Sequence, residues 1–310
     1  MTSSTTDTEE RPDGPSVDSG MTSTRGERVG WYSYSWANHG YITVAGAVFL
    51  GPFLVAAAKI AAGCDPGDSC RGHYVHPLGI PVAAGSYFSY LVTLGTLLTV
   101  VVLPLVGALA DRFGNRKRML IGFAYLGALS TCGMVFVTGD RYLLGGVLYL
   151  LANIGLQAAA MLQNSYVPQL AGAERRDAVS SIGFATGYLG GALLLAASLV
   201  ALVLHPDDKL TVARWGIFAA GVWWGVFTIV TVLLLKERAA PTGESSLGGR
   251  PVAAGSVLTE GFRQLGRTVR LLVRQTPLTL FFLVAFFVYN DGIQTVISQA
   301  SVYGTYQLKL

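Results

Sequence analysis

The chain has 310 residues, of which 52% are hydrophobic and 13% charged, and its mean hydropathy is +0.49. Soluble domains carry about 25% charged residues, and disorder needs low hydrophobicity with high charge, so both classes are excluded and a polytopic helical membrane protein remains. The net charge is only +4, and residues 1–28 hold six acids against three bases, which argues against a nucleic-acid partner.

Residues 1–28 are rich in Ser, Thr and Gly and contain no apolar run, so they read as a disordered cytoplasmic tail and not as a signal peptide. A bilayer core of about 30 Å needs about 20 apolar helical residues, and seven segments meet that need. The first, Trp31–Ala58, carries Trp36, Asn38, His39 and Tyr41 close together; this cluster fits either a solute or ion pathway or a structural anchor at headgroup depth. In the following loop Cys64 and Cys70 are either bridged or free. His73 and His76 lie nearby, but the spacing is irregular for zinc, and no metal or other cofactor is expected.

The second span is Ala84–Ala110 and the third Met119–Thr138, in which Cys132 reads as a small packing residue. In the fourth, Tyr142–Gln163, Asn153 and Gln157 share a face one turn apart, suited to interhelical hydrogen bonds or to solute contact. Gln163 and Asn164 mark its cytoplasmic end. The fifth span, Ala178–Leu204, carries Gly183, Gly187 and Gly191 at four-residue steps, and the sixth, Val212–Leu235, carries Gly221 and Gly225. Such seams let helices approach closely, for static packing or for sliding.

Residues 236–276 then form a long cytoplasmic segment. Pro241–Gly255 reads as linker. Beyond it Leu258, Phe262, Leu265, Val269 and Leu272 recur at helical steps, with Arg263, Arg267, Arg270 and Arg274 one position later. This is an amphipathic helix, lying on the lipid surface or solvated as a linker. The seventh span is Leu278–Val302. With the N-terminus cytoplasmic, sixteen Lys and Arg residues fall inside and five, Lys59, Arg71, Arg141, Lys209 and Arg214, in the outside loops, which fixes that orientation.

The first and seventh spans share a motif. Asn38-His39-Gly40-Tyr41-Ile42-Thr43-Val44 aligns with Asn290-Asp291-Gly292-Ile293-Gln294-Thr295-Val296 as N-x-G-x-x-T-V. Six spans at 29–235, an inside linker and a second copy of span one at 277–310 describe two similar halves, the second lacking five helices. The expectation is a fragment of a protein of about 480 residues. Asp291 is the one carboxylate well inside a span, with Asn290 beside it and Gln294 one turn on. It is suited to a solute pathway or proton coupling, or else to pairing that fixes helix packing.

No G-x-x-x-x-G-K-[ST], H-E-x-x-H or G-x-S-x-G motif occurs, and nothing points to catalysis. Between spans two and three stands Gly107-Ala108-Leu109-Ala110-Asp111-Arg112-Phe113-Gly114-Asn115-Arg116-Lys117-Arg118. This resembles the signature loop of the major facilitator superfamily, with Asn115 where a base is usual. The resemblance implies a cytoplasmic gate formed by Gly107, Asp111, Arg112, Gly114, Arg116 and Lys117. The runs Trp31–Asn38, Asn164–Pro168, Ser180–Gly191 and Tyr289–Val296 are similar to the vacuole effluxer branch of that superfamily, over residues 31–310. That branch implies an all-α bundle of twelve helices, of which this chain holds the first six-helix half plus helix 7. It further implies a secondary transporter of a small polar solute, with amino acids exported by fungal members; protons, to which Asp291 is suited, are the expected coupling ion. The missing second half and the lipid bilayer are the expected partners, and the plasma membrane, the seat of its many bacterial members, is the expected location. His39 departs from the small polar residue expected there. A truncated, non-transporting membrane scaffold or remnant is the alternative.

Overall fold

The computed structural model describes residues 23–68, 70–237, 263, 266, 267 and 269–306, with the side chains of residues 111–113 and 173 outside the description. Among these residues seven helices are long and apolar enough to cross a membrane. They are α1 (Arg25–Ala61), α2 (Tyr87–Phe113), α3 (Arg116–Gly133), α4 (Tyr142–Asn164), α5 (Arg176–Leu204), α6 (Lys209–Leu234) and α7 (Pro277–Tyr306). The fold is an all-α membrane bundle, in agreement with the hydropathy reading. The Lys and Arg distribution distinguishes an inner from an outer end of the bundle.

The first helix begins six residues before the apolar run. Thr24 caps it in a reciprocal box: its hydroxyl accepts from the Glu27 backbone N–H at 3.3 Å, and the Glu27 carboxylate accepts from the Thr24 N–H at 2.8 Å. Two donors of the first turn are thereby satisfied, so Arg25–Arg28, expected in the disordered tail, are helical. The remainder of that tail, residues 1–22, lies outside the described residues, as do Pro241–Gly255, Leu258, Phe262 and Leu265 of the expected linker and amphipathic helix. Residues 269–275 are helical.

α1 is about 55 Å long at 1.5 Å per residue and is not uniform. Over Tyr41–Phe49 its hydrogen bonds widen to the π pattern, and the Leu50 N–H reaches back five residues to the Ala45 carbonyl. Gly51 and Pro52 follow at once. Proline offers no donor and crowds the preceding turn, and a wide turn on its N-terminal side relieves that crowding.

α1 is also the pillar of the bundle: 67% of its most apolar window is buried, against none of α7's. It packs along α5 and α6, α3 packs on α4 and α6, and α2 leans on α4. Two apolar cores result. The outer one is built on Phe49, Phe53, Leu54, Tyr87, Phe88 and Trp224, and the inner one on Trp31, Tyr34, Leu120, Leu162 and Leu235. Since lipid is as apolar as leucine, close backbone approach must hold such helices together. At Gly155 of α4 a Cβ would lie 2.6 Å from the backbone nitrogen of Gly127 in α3.

At the outer end a two-residue hairpin pairs Tyr74–Val75 with Val82–Ala83. Cys64 and Cys70 are disulfide-bonded, with Cα atoms 6.0 Å apart. His73 Nδ1 lies 3.0 Å from the Ala62 carbonyl. Among the described residues no group of three His, Cys, Asp or Glu side chains is placed to hold a metal.

Candidate functional site: a histidine slot between helices 1 and 5

His39 stands about 21 Å along α1 from Arg25, directly before the π segment. The imidazole is 8% exposed. Its Nδ1 lies 2.8 Å from both the Ser35 carbonyl and the Asn38 side-chain oxygen. A carbonyl can only accept, so Nδ1 carries the proton, and Nε2 is left as the acceptor of the neutral ring. Tyr188 and Phe184 of α5 meet the ring edge-on, with centroids 5.2 and 6.5 Å away.

The room for this ring comes from the α5 glycines. A Cβ on Gly187 would lie 2.5 Å from His39 Nδ1, Gly190 sits against Trp36, and Gly183 and Gly191 face Trp31 and Thr43. The glycine steps read in the sequence therefore form the α1–α5 contact. Trp36 stacks on Trp223 of α6 at 5.6 Å, and the Trp223 indole N–H donates to the Trp36 carbonyl at 3.2 Å. Asn38 and Tyr41 are buried, Tyr41 against Trp224 at 5.3 Å.

Not every expected pathway residue joins this group. Asn153 is half-buried beside Gly95 of α2, and Gln157 is exposed. Asn290, Asp291 and Gln294 are exposed on α7. The structure gathers the α1 set and leaves the α7 set on an open face. The two copies of N-x-G-x-x-T-V also differ locally, since the first runs into the π segment while the second is regular α-helix.

In the signature loop, Gly114 ends α2 in the left-handed region at φ +63°, its N–H donating to the Ala110 carbonyl. A residue there needs positive φ, which glycine adopts without steric cost. Asp111 and Arg112 close α2, but their side chains lie outside the described residues. Gly107 faces Met161 of α4 at contact distance. The Lys117 backbone N–H donates to the Glu237 carboxylate at 3.3 Å, an acid at a helix N-terminus where the dipole favours it. Arg116, beside it, is half-buried.

Sequence reading missed a lock at the inner end. The Trp31 indole N–H donates to the Gln163 carbonyl at 2.9 Å, while the Gln163 amide donates to the Trp31 carbonyl and the Ser35 hydroxyl at 3.2 and 2.7 Å. The buried amide at the end of span four was its only signal. Gln163→Leu removes both amide donations from this buried site and is expected to cost about 2 kcal/mol, read as a lower thermal midpoint with helicity kept.

A family model described as vacuole effluxer Atg22 like matches residues 23–310. An uncharacterized MFS-type transporter, YxiO, of Bacillus subtilis is 26% identical over 89% of this chain and 59% of its own length. Autophagy-related protein 22 of Pyricularia oryzae is 26% identical over 92% of the chain and 52% of its own length; that of Coccidioides immitis is 28% identical over 95% and 61%. The chain thus spans between half and about three fifths of these relatives. No solved structure matches it. The plasma-membrane location expected from the sequence is corrected by the family match, which points to a vacuolar membrane; span length and loop charge set topology and say nothing of which membrane is crossed. With its match running from residue 23 to residue 310, the chain belongs to the vacuole effluxer Atg22-like family of major facilitator-type transporters, which are not enzymes.

Proposed function

We propose that this chain forms the first part of a secondary transporter that moves a small polar solute, amino acids among them, by alternating access. The observation that carries the proposal is His39: a buried imidazole, its tautomer set by Ser35, facing a glycine-opened slot more than a third of the way along the most buried helix. A neutral ring with a free Nε2 can accept a solute hydrogen bond or a coupling proton, and ionisable groups at such depth serve pathways more often than packing. Asp291 supplies a carboxylate at the matching motif position, on the face of α7 open to whatever packs there. Trp36, Asn38, Asn290 and Gln294 line the path, and Asp111, Arg112 and Arg116 act at the inner gate.

The test is flux of a labelled amino-acid mixture into or out of vesicles carrying the chain within its complete transporter. His39→Ala and Asp291→Asn are each expected to lower flux at least tenfold while the amount of inserted protein is unchanged. Flux equal to that of the unaltered protein in both variants rejects the assignment. A membrane-inserted protein with no flux at all favours the non-transporting scaffold.

A further inference from the structure

The outer ends of α5 and α6 carry a feature unrelated to the histidine slot. A cavity of about 100 Å³ is walled by Phe53, Ala57 and Ile60 of α1, by the turn after α3 and by the start of α6. Its charged lining residue is Arg214, whose Nε is buried and has no hydrogen-bond partner among the described residues. Thr211 lines this cavity and also a second one, a groove of about 510 Å³ between α5 and α6. The groove walls are mostly apolar, formed by Leu194, Ala197, Ala201, Val212, Trp215 and Ala219, and Ser198, His205 and Asp208 also line it. Trp215 and Leu204 are exposed beside it, on the surface that a bilayer covers.

We infer that this paired cavity and groove bind one zwitterionic glycerophospholipid, with its phosphate on Arg214 and an acyl chain in the α5–α6 groove. A guanidinium whose buried Nε lacks a partner, in the second turn of α6, needs an acceptor, and phosphate suits its planar donors. An exposed apolar groove that shares Thr211 with the cavity holding that cation fits a chain attached to the phosphate, where a free inorganic anion would leave it empty. The Asp208 carboxylate in the lining complements the amine of a zwitterionic headgroup and disfavours a purely anionic one. Trp215 lies where amphipathic rings settle at headgroup depth.

The experiment is native mass spectrometry of the full chain in detergent, titrated with dioleoyl phosphatidylethanolamine, dioleoylglycerol or inorganic phosphate. The unaltered chain is expected to retain one phosphatidylethanolamine. Arg214→Gln is expected to lower the lipid-bound fraction at least fivefold and Arg214→Lys by less. Ala197→Phe fills the groove from its exposed wall, keeps the guanidinium, and is expected to reduce retention to a similar extent, so the idea stays open to test if Arg214→Gln folds poorly. Equal retention of dioleoylglycerol, binding of phosphate alone, or undiminished retention in both Arg214→Gln and Ala197→Phe overturns the inference.

Discussion

Replacing Gly187 by leucine is expected to separate α1 from α5 and abolish the folded bundle. At that point even a single Cβ would stand 2.5 Å from His39 Nδ1, well inside contact distance. The ring cannot swing away cheaply, because Ser35 and Asn38 hold it on one side and Tyr188 and Phe184 hold it on the other. Overpacking in a tight core costs about 1–3 kcal/mol, and here it also strips His39 of its buried partners, about 1–3 kcal/mol more. Gly187→Ala is expected to lower the thermal midpoint clearly, and Gly187→Leu to leave no cooperative transition. Gly122 of α3 has open space where a Cβ would be built, so Gly122→Ala provides the control and should leave the midpoint unchanged or slightly raised. Equal midpoints for Gly187→Ala and Gly122→Ala would show that the α1–α5 seam is looser than described.

The second large effect is expected at Lys59, two residues from the outer end of α1. The residue is 2% exposed. Its ammonium donates to the Pro66 and Asp68 carbonyls at 3.1 and 2.7 Å and lies 3.6 Å from the centre of the Tyr306 ring. Two carbonyls and an aromatic face complete the shell of a three-donor cation. Tyr306 in turn donates from its hydroxyl to the Pro52 carbonyl at 3.2 Å, and nearby Ser89 donates to Gln299 at 3.1 Å. These contacts tie the outer end of α7 to the bundle. Lys59→Met is expected to remove about 2 kcal/mol of that attachment. Cysteines placed at Ser89 and Gln299, in a Cys132→Ala background, should be joined by a short bismaleimide in the parent and several-fold less in the Lys59→Met chain. Unchanged cross-linking would mean that Lys59 stabilises the loop alone.

Helix number, order and approximate ends were legible in the sequence because each span is a long apolar run, and hydropathy reports those directly. The start of α1 was not, since Thr24 and Glu27 extend the helix by capping chemistry in a charged stretch that hydropathy counts against. The π turn was hidden for another reason: Val44-Ala45-Gly46-Ala47-Val48-Phe49 is an apolar run that reads as plain helix until Pro52 is weighed. At the site, the glycine steps of α5 were visible, yet their fit to Trp31, His39 and Thr43 is a contact between residues over 140 positions apart, which no local pattern encodes. Lys59 entered the sequence reading only as an outside charge. A lone lysine inside Leu54–Ala61 was the available signal, because burial of such a charge demands partners.

The wide turn in α1 bears on how the two ends of this helix are keyed to each other. Each residue of an α-helix turns the chain by about 100°, so the bearing of everything beyond Phe49 depends on how many residues the turn holds. A π turn winds each residue through less than that, so closing 41–49 as ordinary α-helix with its nine residues kept would overwind the far end and carry Lys59 away from Tyr306, with His39 left in its slot. The histidine seat and the lysine clasp thus share one angular register, set by how a single apolar stretch is wound rather than by any side chain within it.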